Sequence, residues 1–409
     1  MNKERAEKHI DVLDGIRAIA IIFVAWFHIW QQTWLTPYIH FNNSVSKYLG
    51  ITEIPLAKYV RYGFDFVDLL ILLSAVCNFY PYARSIVLKE KWPSAKEFYM
   101  KRAIRIIPSY VLSVIVLFTV AVFENRYQSA GAMWKDLFSQ LTFTAVLSED
   151  AMLRTQINCV LWTAQLEVIY YIFVPFIALA FKKKPGITTA LLWLCSILSI
   201  NTILIRRGGN MNAFYVNHIL TFAAFYATGM LIAVIYVYVK VYQLDNKYIK
   251  GAALILLVAS ISGLNSLFGG YGEALQLWQL QTRIPRLLMF SGLILGAMLG
   301  YGPIRFLFGN KLMKFISLIS YNLYIWHQVI SVKLKQYRIP YWEGDTPPNM
   351  LGDTAWQWKY QWLIIFDVLA VAVILTFFFE IPLAKFLKKK LLAGEKRVPE
   401  QREDIENKF

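Results

Sequence analysis

The sequence predicts an all-α protein: a polytopic membrane helix bundle of about ten transmembrane helices, with both termini cytoplasmic. Three observations carry that expectation. Of 409 residues, 57% are hydrophobic and 17% charged, against about 25% charged in an ordinary soluble domain. The mean hydropathy is +0.45, too apolar for a chain of this length to cover its core with polar surface. The apolar residues also gather in runs near the roughly twenty that cross a bilayer as a helix. Disorder, a secreted disulfide scaffold and a soluble two-domain enzyme are all disfavoured. The cysteines Cys77, Cys159 and Cys195 have neither CxxC nor Cys/His ligand spacing, so no metal and no disulfide framework is expected.

Apolar stretches fall near 12–32, 60–80, 107–123, 161–181, 187–205, 218–239, 251–268, 285–301, 315–332 and 361–384. The charged start MNKERAEKHID leads straight into the first, so no cleavable signal is expected. No Pro/Gly/Ser-rich linker divides the chain and no fixed-period repeat is visible. The expectation is one membrane domain over residues 1–384 and a basic, charged cytoplasmic tail over 385–409. With both termini inside, 28 of the 42 Lys and Arg fall in inner segments and 14 in outer ones. That bias over short loops is the positive-inside signature. It explains the net charge of +16 by membrane orientation, and nucleic acid is not an expected partner; membrane lipids are.

Ionisable residues inside spans are costly and mark function by default. The first span, LDGIRAIAIIFVAWFHIW, carries Asp14, Arg17 and His28. Arg17 and His28 are eleven residues apart, within about 20° of three full turns, so they share a helix face and lie about 16 Å apart along the axis. Alone, Arg17 also reads as a snorkelling anchor and His28 as a packing histidine. The second span, YGFDFVDLLILLSAVCNFY, holds Asp65 and Asp68 on one face, able to pair with Arg17 or a later arginine. The third opens KRAIRIIPSY, with Arg102 and Arg105 three apart. An Arg pair at the inner membrane edge suits phosphate, which it grips bidentately; it also suits a plain orientation signal. The fourth span, LWTAQLEVIYYIFVP, brings Glu167, a carboxylate that needs a partner or a wet pocket. The ninth, FISLISYNLYIWHQVI, carries a polar stripe of Ser320, Tyr321, Tyr324 and His327. Outer loops such as QQTWLTPYIHFNN are aromatic and polar, which suits sugar stacking and interfacial anchoring alike.

Four of these segments, in this order, resemble the acyltransferase-3 family of integral membrane acyltransferases over most of the chain. LDGIRAIAIIFVAWFHIW looks like its opening, an Arg and a His separated by ten residues, here Arg17 and His28. KRAIRIIPSY is similar to its R-x-x-R segment, with Arg102, Arg105, Pro108 and Tyr110. LWTAQLEVIYYIFVP resembles W-T-x-x-x-E-x-x-x-Y, with Trp162, Thr163, Glu167 and Tyr171. ISYNLYIWH looks like S-Y-x-x-Y-x-x-H, with Ser320, Tyr321, Tyr324 and His327. The chain departs from the family's V-D-L-F-F-x-x-S-G: in VDLLILLSA, Leu70 and Ile71 replace the aromatics and Ala75 the glycine, a change that bears on local helix packing.

The resemblance implies a cell-membrane O-acyltransferase that moves an acyl group, usually acetyl, from cytoplasmic acyl-CoA to a hydroxyl of a lipid-linked or cell-surface glycan. Acetyl-CoA is then the co-substrate and a carbohydrate the acceptor. On that reading Arg17, Arg102 and Arg105 bind the CoA phosphates. His28 is the catalytic base, and Asp68 or Glu167 orients it as the third group does in a triad. Trp162, Tyr324 and His327 bind substrate. An acyl-histidine intermediate on His28 remains an open route. A transporter or glycan flippase using the intramembrane charges as a path is the rival reading, and a non-catalytic membrane subunit is a further one.

Overall fold

The structure is a computed structural model, and it describes residues 9–35, 38–40, 48, 53–242, 244, 246–269 and 274–392. Each of the ten apolar stretches coincides with a helix. In chain order the long elements are α1 (Asp11–Thr33), α2 (Phe66–Leu88), α3 (Ala95–Phe123), α4 (Trp162–Lys183), α5 (Pro185–Arg207), α6 (Ala223–Val241), α7 (Lys247–Leu267), the short α8 (Leu275–Gln281), α9 (Arg283–Leu299), α10 (Lys311–Gln336), α11 (Thr354–Leu375) and α12 (Ile381–Leu392). The described strands are two three-residue segments, Tyr38–His40 and Glu53–Pro55, paired antiparallel.

Among the described residues, eight helices are long and apolar enough to cross a membrane, or up to nine when α8 and α9, bent by 60° at Thr282, form one span. Helix α10 has 26 residues but fails on polarity. Its inward side is Ser317, Ser320, Asn322, Tyr324, His327 and Ser331, all buried. A helix that turns its polar side into the bundle lowers its own mean hydropathy, and the protein interior bears the cost that lipid otherwise would. It packs chiefly on α1 and α11.

Burial separates centre from rim. The α2 span is 78% buried and the α5 and α7 spans 17% and 22%, so α2 is the hub and the last two face lipid. Pro81, Pro108 and Pro175 sit inside α2, α3 and α4, tolerated where neighbouring helices meet the freed carbonyls. Between α11 and α12 the segment Thr376–Glu380 winds as a π-helix, a distortion common at functional positions. Of the segment expected as a tail, residues 385–392 continue α12; 393–409 lie outside the described residues, as do parts of the 31–43 loop.

The departure at Ala75 has a counterpart across the α2–α6 contact. A Cβ on Gly229 would stand 2.6 Å from the Ala75 Cβ and 2.9 Å from the Val76 nitrogen. The small residue that lets these helices touch is supplied from α6, in the manner of small-residue packing between membrane helices.

Candidate active site

Helix α3 starts at Ser94, whose hydroxyl accepts from the Glu97 N–H at 3.4 Å, a capping bond that fixes the first turn. Two turns on, Arg102 and Arg105 leave the same side of the helix. Arg102 is held over the rings of Phe98 and Tyr171, 5.5 and 5.7 Å from their centroids. From α1, Arg17 reaches the same space: its guanidinium donates to Ser317 Oγ at 3.3 Å, to Asp14 Oδ1 at 3.4 Å and to Cys77 Sγ at 3.5 Å. From α4, Glu167 accepts the Tyr171 hydroxyl at 2.9 Å. Arg17, Arg102, Arg105 and Glu167 are the charged residues lining a single cleft, whose lining also includes Thr163, Ser320, Tyr321 and Tyr324. Three guanidiniums and one carboxylate line the groove, with Asp14 behind Arg17 and Glu380 near Arg105 offsetting part of the positive charge; neighbouring planar guanidiniums suit a multiply charged anion.

The histidines stand one layer beyond. Tyr324 lines the cleft, donates to the Val160 carbonyl at 3.2 Å, and has its ring 5.7 Å from that of His327. The His327 ring in turn lies 5.0 Å from that of His28. His28 is half-buried and bonds through Nδ1 to Gln31 Oε1 at 3.0 Å. An amide oxygen only accepts, so Nδ1 carries the proton and Nε2 presents the lone pair. His28 itself does not line the cleft.

Several expected placements need correcting. Asp68 is not brought to His28. Its carboxylate accepts from Arg286 at 2.9 Å and lies 3.7 Å from Arg283, while Asp65 lies 3.0 Å from Arg286. All four are buried, a neutral quartet tying α2 to α9. The later arginine, and not Arg17, is its partner. Glu167 keeps company with the arginines of the cleft, and the group on His28 Nδ1 is Gln31. Trp162 opens α4 with its ring 6.1 Å from Phe222, outside the cleft. Gln31 was legible in principle, since i and i+3 share a helix face. Glu380 was not: the π-turn brings its carboxylate to Asn322 Nδ2 at 2.7 Å, where it interacts electrostatically with Arg105.

Among the described residues one trio, His9, Asp11 and Asp14, brings possible metal ligands together. Lys314 holds Asp11 at 2.6 Å and His9 holds Asp14 at 2.5 Å, so this is an ion-pair cluster. The Asp14 hydrogen bond raises His9 above the usual histidine value.

Comparison with known proteins adds one match. A family model described as an acyltransferase domain matches residues 10–381, nearly the whole chain. No curated protein and no solved structure matches significantly.

Proposed function

The chain belongs to the acyltransferase-3 family, and from that premise we propose that it moves an acyl group, acetyl first among candidates, from cytoplasmic acyl-CoA to a hydroxyl of a lipid-linked or cell-surface glycan, in the cell membrane. Both termini face the cytoplasm on this reading, as the cation bias requires. The carrying observation is the convergence of Arg17, Arg102 and Arg105, from two helices, in one cleft. Their planar forks match the phosphates of a nucleotide thioester. The slender pantetheine arm then runs past Tyr324 toward the imidazoles, a distance along α1 of about eleven residues' rise.

At His28, Nε2 removes the proton of the acceptor hydroxyl as its oxygen attacks the thioester carbonyl. The carbon–oxygen bond forms, the carbon–sulfur bond breaks, and the proton passes from Nε2 to the departing thiolate. The products are an ester and free CoA thiol. Gln31 holds Nδ1 protonated so that Nε2 is the base. Tyr324 and His327 contact substrate on this reading, and Glu167 with Tyr171 sets the shape and charge of the cleft wall. A route through acyl-His28 uses the same nitrogen and is decided by trapping the adduct with donor alone.

The test is compositional analysis of surface glycans from cells with the protein, without it, and with His28→Ala, alongside release of free CoA thiol by the purified protein. We expect ester groups to disappear in the last two cells. Retained esters with H28A at wild-type level overturn the mechanism. Glycan changes without consumption of acyl-CoA favour the transporter reading.

A further inference from the structure

His327 is an imidazole with one nitrogen committed and the other open. Its Nδ1 lies 2.7 Å from the Tyr324 carbonyl oxygen and 3.2 Å from that of Leu323. Carbonyl oxygens only accept, so Nδ1 carries the proton and Nε2, across the ring, holds a lone pair. The residue is 0% exposed, and among the described residues Nε2 has no hydrogen-bond partner. A buried acceptor without a donor loses its hydration for nothing in return. An N–H or O–H of a bound substrate suits this acceptor. His28 does not supply it, because its own N–H is taken by Gln31.

Position narrows the ligand. The rings run in order from Tyr324 on the cleft wall to His327 to His28. A thioester arm entering from the arginines meets His327 immediately before the imidazole that serves its carbonyl. In acyl-CoA the group immediately before the sulfur is an amide, its N–H two methylenes away. We propose that His327 Nε2 accepts the N–H of that last pantetheine amide, so that the protein selects acyl-pantetheine donors over other thioesters and sets the thioester in register with His28. This rests on the acyl-CoA reading above. Tyr324 lines the cleft and neighbours the His327 ring, so it is the side chain that moves aside to admit the arm.

The experiment needs no acceptor. Purified full-length protein in detergent is titrated with acetyl-CoA and with an analogue in which an ester oxygen replaces that N–H, using wild type, His327→Phe and His327→Gln. Wild type binds acetyl-CoA roughly three- to tenfold more tightly than the analogue, the worth of one neutral hydrogen bond. H327F loses the discrimination, and H327Q, with an amide oxygen to accept, recovers part of it. Discrimination that survives in H327F overturns the proposal, as does wild type that binds both ligands equally. So does an H327F protein whose binding of acetyl-CoA is unchanged. Wild type that binds neither ligand brings down the acyl-CoA reading itself. If H327F fails to fold, the wild-type comparison and H327Q decide.

Discussion

Gly229 of α6 meets Ala75 of α2 so closely that a methyl group on the glycine would sit 2.6 Å from the alanine Cβ. Helix α2 is the most buried span, so neither side can retreat into lipid. Gly229→Ala is expected to destabilise the protein by about 1–3 kcal/mol, the usual cost of overpacking. Adding Ala75→Gly recovers part of that, because the Val76 nitrogen and Ala75 carbonyl carbon remain near 3 Å from the new methyl. Thermal unfolding in detergent of the two single variants and the double variant checks this. No recovery in the double variant contradicts the idea that one small residue serves for both helices.

The quartet of Asp65, Asp68, Arg283 and Arg286 is expected to hold the fold and to leave chemistry alone. Arg286→Met takes the ion-pair partner from buried Asp65 and leaves Asp68 with Arg283 alone, and the loss of a buried charge partner costs about 3–5 kcal/mol. Asp68→Asn keeps the shape and one acceptor, so its cost is smaller. Melting temperature and expression should fall in both, while turnover per folded molecule of D68N stays near wild type. A stable D68N protein with abolished turnover would restore Asp68 to the catalytic set.

For the cleft, Arg105→Ala should weaken acetyl-CoA binding by about ten- to a hundredfold, the worth of a charge-assisted bond to phosphate. Arg105→Lys keeps the charge without the fork and should fall between. Because the ligand is anionic, rising salt should shrink the difference between wild type and R105A. Competition with free CoA measures all three, and equal affinities across the series would remove the arginine from the donor site.

Much of this architecture was readable from the chain because hydrophobic run length is a direct record of bilayer thickness. The arginines of the cleft were readable too, since a three-residue spacing on a helix dictates a shared face. What lay hidden came from two sources. Helix α10 turns its polar side into the protein, and run length alone does not record which side of a helix is buried. And long-range partnerships leave no local mark: nothing near Asp68 announces Arg286, and nothing near Ala75 announces Gly229. The π-turn at Thr376–Glu380 changes which side of the helix Glu380 occupies, and a regular 100° step does not foresee it.

Glu124, just past the end of α3, gives a pH dependence with a defined sign. Hydrogen bonds from Lys333 first, then from Tyr337 at 2.6 Å and Arg126 at 2.7 Å, pull its carboxyl down to about 2. In the unfolded chain the same group titrates near the ordinary glutamate value of about 4.3. Above that value both states are ionised and the full contribution to stability is present. As pH falls from there toward 2, the unfolded state takes up a proton that the folded state refuses, and the contribution drains away. Glu124→Gln should therefore be less stable than wild type by a constant margin from pH 7 to about 5, with the two curves converging only below about pH 4. Unfolding of both proteins in detergent across that range measures the margin. Convergence already between pH 7 and 5 would mean that the Lys333–Glu124 tie is not what fastens α3 to α10 at this end of the bundle.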